Sequence, residues 1–304
     1  MINHILQHWG IYRIDDMQVT GRADTEPHVW LINNQYCLKC VDNADIVENI
    51  NTISEVLLTS GLPAAIPIKT ASGNIYVIEN GKTYFLSPML SGKPLENYRE
   101  YDWRKFGTLV GHALAHFHNA IEKCRNDLIN IGESDFYKWV IEWAVPTIQT
   151  NLPSEEAKAV LTLYDDYTMV FPALYYNMPR QLIHNDFHCV NILFEGEVLS
   201  GFVDLDSCTV DVRVSDIVMF AGYLLWKMRD EREAWLPALS AVLQGYQSIN
   251  ALTTDEIDGM FYKFYSLGLV CIAAFTGDKG KIALETTKWL IDQRDRIDSY
   301  IRPK

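Results

Sequence analysis

The sequence predicts an α+β chain built as two lobes, a β-rich first lobe carrying one helix and a larger, mainly α-helical second lobe. Short runs of β-branched and aromatic residues separated by turn formers crowd the stretch before residue 92, as in "MQVTG" and "HVWLINNQYCLKCV". After Gly92 and Pro94 in "SGKP" the apolar residues recur at helical spacing almost to the end. The length of 304 residues also reaches the size, about 250–300 residues, at which one hydrophobic core stops growing. The expected division is therefore residues 1–91 and 92–304.

The elements follow in order. From Met17 to Val41 the pattern gives three strands, with the polar turn "RADTEP" after the first and an Asn-Asn turn between the other two. "DIVENINTISEVLLTSGLP" places Ile46, Ile50, Ile53, Val56 and Leu57 at helical spacing, and Gly61 with Pro63 stops the run, so one amphipathic helix comes next. "IPIKTASGNIYVIENGKTYFLSPML" supplies two more strands turning at "ENGK" and makes an antiparallel sheet of about five strands. In the second lobe, helices are expected over "EYDWRKFGTLVGHALAHFHNAIEKC", over Tyr137 to Thr150, after the cap-like "PSEEA", and in several segments from Ser215 onward. Short strand-like runs interrupt them between Ile183 and Asp206.

Lys and Arg total 26 against 39 Asp and Glu, a net charge of -13. That balance opposes a non-specific grip on nucleic acid or anionic lipid and favours small cationic partners. No run approaches the roughly 20 apolar residues of a membrane span. The start "MINHILQHWGIYRIDD" lacks the parts of a secretion signal, so a cytoplasmic location with neither nucleic acid nor membrane as partner is expected. Six scattered cysteines fit reduced thiols. "CLKC" has no second ligand pair, and Cys37 and Cys40 alternate to opposite faces of a strand, so they read as buried thiols and not as a metal site.

The chemistry concentrates in "HNDFHCVNILF" and "GFVDLDS". The pairs Leu182–Ile183, Ile192–Leu193 and Phe202–Val203 anchor short strands, between which a loop presents Asp186 and Asn191, and the last strand ends at Asp204. The oxygen-only pair Asn191 and Asp204 suits a hard cation such as Mg²⁺. Asp186 is then left to accept a proton from an attacking hydroxyl. A base, two metal ligands and a second lobe for a nucleotide are the parts of a phosphoryl-transfer site.

These residues resemble the H-x-D-x-x-x-x-N loop and following metal-binding Asp of the aminoglycoside phosphotransferase and choline kinase group, which includes type II homoserine kinases and shares the protein-kinase fold. The resemblance covers nearly the whole chain and implies a bilobal protein-kinase-like fold. It makes Asp186 the catalytic base, Asn191 and Asp204 the Mg²⁺ ligands, Asp216 in "VRVSDIVMF" the buried brace of the loop, and His184 a buttress. Asp206 is a candidate for the outer metal shell, and His188 lies near the site without an assigned role. "YCLKCV" is similar to the strand bearing a phosphate-binding Lys, here Lys39, held by a helix Glu, either Glu55 or Glu48. "GRADTE", with Gly21 and Arg22, stands at the nucleotide loop, and "FLSPML", with Ser87 and Met89, at the hinge whose backbone meets adenine. Gly is usual where Asn185 stands, and Pro and Gly where Cys189 and Val190 stand. The implied activity is transfer of the γ-phosphoryl group of ATP or GTP, with Mg²⁺, to a hydroxyl of a small acceptor of aminoglycoside, homoserine or choline type. The acidic balance favours an acceptor with an amine. The alternative is an inactive nucleotide-binding regulatory protein of the same fold.

Simpler readings compete at several positions. Asp and Asn form turns, so "HNDFHCVN" alone is also what a polar loop looks like; its agreement with Asp204, Asp216, Lys39 and the order of elements favours the site. His184 with His188 suggests a transition-metal pair, and His112 with His116 has i, i+4 spacing, but the latter lacks a zincin's intervening Glu and reads as helix packing, as does His118. "ENGKTY" mimics the end of a Walker A loop, yet Tyr76 replaces its first Gly and the context is strand-turn-strand.

Overall fold

The computed structural model describes residues 1–20 and 28–302. In chain order these form helix α1 (Ile2–Leu6), strands β1 (Met17–Thr20), β2 (Val29–Ile32) and β3 (Tyr36–Val41), helix α2 (Ala44–Thr59), and strands β4 (Val77–Glu79), β5 (Lys82–Pro88) and β6 (Lys93–Pro94). Helices α3 (Trp103–Ile121), α4 (Phe136–Trp139), α5 (Val145–Asn151), α6 (Ser154–Val160) and α7 (Tyr164–Asn177) follow. Strands β7 (Arg180–Ile183), β8 (Ile192–Glu195), β9 (Val198–Phe202) and β10 (Thr209–Val212) precede helices α8 (Val214–Lys227), α9 (Trp235–Gln247), α10 (Thr254–Ala274), α11 (Gly277–Asp292) and α12 (Arg294–Ile301).

Two compact units divide the chain. One takes Met1–Pro94, Ala120–Ile131 and Asn191–Ser207, and the other takes Leu95–Asn119, Gly132–Val190 and Cys208–Lys304. A break at residue 91 alone is continuous, whereas these units are interleaved along the sequence. Strand pairing explains part of the difference: β6 bonds to β8 with Lys93 opposite Phe194 and Pro94 opposite Leu193, which ties the β8–β9 hairpin to the first unit.

In the first unit the strands form an antiparallel sheet in the order β1-β2-β3-β5-β4. Asn33 and Asn34 turn between β2 and β3 with φ of 54° and 52°, and Asn80 and Gly81 turn between β4 and β5 with φ of 51° and 76°. Left-handed backbone at both central residues matches the twist of a two-residue hairpin, and Asn and Gly tolerate it best. Trp30, Ile32, Leu38, Tyr84 and Leu86 point inward from the sheet and pack with Ile5 and Leu6 of α1. Helix α2 starts at Asn43, whose side chain accepts from the Ile46 N–H, and buries Val47, Ile50, Ile53 and Leu57 along one stripe. Ile46 and Val56, expected on that stripe, sit at its margin, half-buried.

The second unit is built on α10, which packs against α7, α8 and α11. Its 21 residues are long and apolar enough to cross a membrane by length and composition, which corrects the expectation that no stretch approaches that character. Packing explains the apolarity: Met260, Phe261, Phe264, Tyr265 and Leu269 are core residues. The helix opens with a reciprocal capping box between Thr253 and Glu256, and Arg213 meets the Glu256 carboxylate at 2.7 and 2.8 Å.

Helices α3 and α9 cross at backbone contact. A Cβ on Gly111 would fall 2.1 Å from the Val242 carbonyl oxygen, and one on Gly245 would fall 2.2 Å from the Thr108 carbonyl oxygen. Neither neighbour is a flexible side-chain end, so neither can step aside. Gly111→Ala is therefore expected to destabilise the protein by about 2 kcal/mol or more, measured by urea unfolding. Gly132→Ala, where a Cβ meets nothing within 4 Å, should stay within about 0.5 kcal/mol.

Also on α10, Lys263 is only 2% exposed. Its ammonium lies 3.6 Å from the centre of the Phe136 ring and has no hydrogen-bond partner. Burial pushes its pKa down from 10.5 to about 8, against the pull of the Asp211 carboxylate. Between those two pH values the unfolded chain keeps a proton that the folded chain has released, so stability rises with pH across the window. Relative to Lys263→Met, the wild type should gain up to about 3 kcal/mol between pH of about 7 and about 10, read from paired urea titrations. An unchanged difference would show that Lys263 is not held in this dry setting.

Candidate active site

In the second unit, the loop after β7 is shaped by one carboxylate. Asp216, in the first turn of α8, accepts from the His184 N–H and the Asn185 N–H, both at 2.8 Å. Its Oδ2 also lies 2.9 Å from His118 Nε2. A carboxylate can only accept, so His118 Nε2 carries the proton of that bond, and its Nδ1 lies 2.9 Å from the Tyr246 hydroxyl. His118, His184, Asp216 and Tyr246 are all fully buried, and in a dry setting such bonds are strong and costly to break. The α3–α9 crossing supports the arrangement, because His118 is on α3 and Tyr246 follows Gly245 on α9. His184 packs beside Phe117 and Phe187 at 5.6 and 5.8 Å between ring centres.

Asn185 then turns with φ of 66°. That is the left-handed region where Gly is at ease and Asn is among the better-tolerated alternatives, which accounts for Asn at a position where Gly is usual. Val190 is not among the described residues with positive φ, so a β-branched residue fits there without backbone strain. Cys189 is fully buried, and burial pushes its thiol up to about 12. Between these positions Asp186 presents a side chain 37% exposed, with His188 Nε2 3.5 Å from its Oδ1. The His188 ring lies flat on Tyr223, with centres 4.8 Å apart and planes 18° apart.

In the first unit, Lys39 on β3 is ion-paired with Asp204 and lies 3.3 Å from Asp206 Oδ2. Burial opposes its charge, but the Asp206 and Asp204 carboxylates outweigh it and raise the pKa above the usual lysine value. Asp204 sits at φ of 67°, a strained conformation for a non-glycine residue of the sort often kept where a side chain must be aimed. Asn191 is buried, and its carbonyl accepts from the Val203 N–H at 3.1 Å, so Asn191 and Asp204 leave neighbouring positions at the base of the β8–β9 hairpin. Asn191, Asp204 and Asp206 each carry a side-chain oxygen, the donor type that suits a hard divalent cation.

Two sequence expectations are corrected here. Neither Glu48 nor Glu55 holds Lys39, whose ion partners are Asp204 and Asp206. Glu55 lies on the exposed face of α2 and accepts from Asn51 Nδ2 at 3.0 Å, while Glu48 is half-buried. Nor is the Met89 N–H available to adenine, because it donates to the Gln35 carbonyl at 2.8 Å as β5 runs out beside β3. Ser87 lies within β5 opposite Cys37. Gly21 and Arg22 fall outside the described residues. Cys37 and Cys40 are half-buried thiols, and burial raises the Cys37 thiol to about 11. His112 and His116 do not form a three-ligand cluster with any other described residue. Sequence reasoning treated His118 as packing and passed over Tyr246 and Tyr223. Helical spacing offered the one available signal, since Asp216 and Tyr223 are two turns apart on α8.

Residues 57–252 match the model of the phosphotransferase enzyme family. The homoserine kinase of Methylobacillus flagellatus is 24% identical over 241 residues, spanning 78% of this chain and 71% of that protein. The homoserine kinase of Sinorhizobium fredii is 24% identical over 226 residues, 72% of this chain and 64% of that protein. Among solved structures, the GDP complex of aminoglycoside 2'-phosphotransferase-IIIa superposes with a TM-score of 0.66 at 13% identity, covering 96% of this chain and 98% of that one. An amicoumacin kinase in complex with AMP-PNP, Ca²⁺ and Ami superposes with a TM-score of 0.63 at 18% identity, covering 91% of this chain and 88% of that one. These likenesses identify the fold as the α+β, protein-kinase-like fold of the aminoglycoside phosphotransferases. With the family match covering well over half of its length, the chain belongs to the phosphotransferase enzyme family.

Proposed function

We propose that the protein is a kinase that transfers the γ-phosphoryl group of ATP or GTP to a hydroxyl of a small acceptor. The observation that carries this reading is Asp186, a partly exposed carboxylate on a loop fixed at its root by the fully buried Asp216. Fixing the loop while leaving its carboxylate exposed is what a positioned general base needs.

The first unit supplies the phosphate side of the chemistry. Lys39 holds its charge firmly, and its fixed ammonium offsets negative charge that spreads over the transferred group. Asn191 and Asp204 would hold Mg²⁺, with Asp206 behind them, and the ion when bound neutralises phosphate charge. In the second unit, Asp186 orients the acceptor hydroxyl and takes its proton as the new oxygen–phosphorus bond forms. The bond from the γ-phosphorus to the bridging oxygen breaks, and the nucleoside diphosphate leaves. Homoserine-like and aminoglycoside-like acceptors are the two classes favoured by the relatives' names, and the net charge of -13 favours an acceptor with an amine.

Asp186→Asn is expected to keep nucleotide affinity within about twofold while cutting transfer by about 10²-fold or more, measured by titration calorimetry and a coupled nucleotide assay over hydroxylated amino acids and aminoglycosides. Parental turnover in the variant would remove Asp186 from the mechanism. Asp204→Ala is expected to abolish the Mg²⁺ dependence of nucleotide binding and to leave Lys39 with Asp206 alone. Calorimetry with and without Mg²⁺ decides this, and equal metal dependence in parent and variant would exclude the role.

A further inference from the structure

Helix α8 reads along the catalytic loop with one stripe of side chains. Asp216, Phe220, Tyr223 and Lys227 are spaced by four, three and four residues, so they share a helical face. They meet the loop in its own order. Asp216 holds the amides of His184 and Asn185, Phe220 packs on Phe187 at 5.9 Å, and Tyr223 stacks on His188. Lys227, one turn further, lies near enough to the buried Cys189 to oppose the upward push on its thiol.

Lys227 is half-buried, with its ammonium 5.5 Å from the centre of the Tyr223 ring. Some half-buried cations of this unit have carboxylates, as Arg213 has Glu256, Arg294 has Asp166 and Arg180 has Asp211, whereas Arg232 and Lys288, which are half-buried with no ion pair among the described residues, lie on other elements and away from the His188–Tyr223 stack. No carboxylate among the described residues forms an ion pair with Lys227. A lysine in the last turn of a helix also favours the helix dipole, but that role requires neither the Tyr223 face nor a place beside the catalytic loop. On the same loop, the Leu95 N–H donates to the Cys189 carbonyl at 2.8 Å and brings the exposed Glu96 alongside. The Tyr223 hydroxyl, whose pKa is raised by burial, also feels the carboxylates of Glu96 and Asp186. A cation without a carboxylate partner and an exposed anion thus flank the His188–Tyr223 stack that leads away from Asp186.

We infer that Lys227 is a specificity residue that takes an anionic group of the acceptor, which makes the acceptor a hydroxylated zwitterion with its carboxylate on Lys227 and its ammonium towards Glu96. This rests on the kinase reading above and deepens it. An aminoglycoside, a polycation with no carboxylate, would meet repulsion at Lys227, whereas a hydroxy amino acid would be gripped at both charges while its hydroxyl reaches Asp186.

The test compares wild type, Lys227→Met and Lys227→Arg on L-homoserine, its carboxamide and kanamycin, with thermal midpoints recorded alongside. Wild type should prefer the acid to the amide. Lys227→Met, which keeps the methylene stem, should raise KM for the acid by about 10- to 100-fold with little change in kcat, leave KM for the amide unchanged, and melt like the parent. Lys227→Arg should restore most of the preference. If wild type turns over but does not distinguish acid from amide, or uses kanamycin alone, the inference fails and the kinase reading stands. Equal losses on acid and amide in Lys227→Met also overturn it, because a merely structural role predicts that pattern. If wild type neither hydrolyses nucleotide nor phosphorylates any of the three, the kinase reading fails and the inference with it.

Discussion

One buried carboxylate sets the geometry of the second unit. Asp216 gathers two consecutive backbone amides and an imidazole within 2.9 Å. Removed from water, it has no alternative partners to bargain with, so the loop is held in one conformation and not an ensemble. The left-handed turn at Asn185 depends on that grip, since its backbone strain would relax if the hydrogen bonds from the His184 and Asn185 amides to Asp216 were lost. Asp186 inherits its direction from the turn.

The first unit solves a different electrostatic problem. Burying an ammonium is costly, and Lys39 offsets the cost with two carboxylates drawn from far along the chain, 165 and 167 residues away. Two carboxylates around one ammonium leave net negative charge, which a divalent cation can share with phosphate oxygens. The interleaving of the units follows from the same demand, because residues 191–207 must fold with residues 1–94 for Asp204 and Asp206 to meet Lys39.

What was legible in the sequence tracks how local its cause is. The hairpins were readable because Asn33-Asn34 and Asn80-Gly81 set their own backbone, and α2 was readable from its apolar spacing and its stop at Gly61. Asp186, Asn191 and Asp204 stood out because loop, hairpin and flanking strands lie within one short stretch. The partner of Lys39 was not readable, since a salt bridge across 165 residues leaves no periodicity behind, and the nearby glutamates on α2 offered a plausible substitute. The fate of the Met89 amide depended on strand register, which composition does not encode. The discontinuous units were hidden for a similar reason: β6 has two residues, too few to announce the pairing that recruits the hairpin.

The glycine crossing of α3 and α9 gives the site an unusual dependency. His118 and Tyr246 meet because two helix backbones touch at Gly111 and Gly245, so the imidazole that supports Asp216 is itself placed by a spacing between helix axes. That spacing acts as a gauge. A modest increase in side-chain volume there would separate His118 from Tyr246 while most of the helical core stayed packed. The chain would then keep its architecture but lose the register of the loop that carries Asp186, and the damage would surface at that loop although no residue of the loop itself had changed.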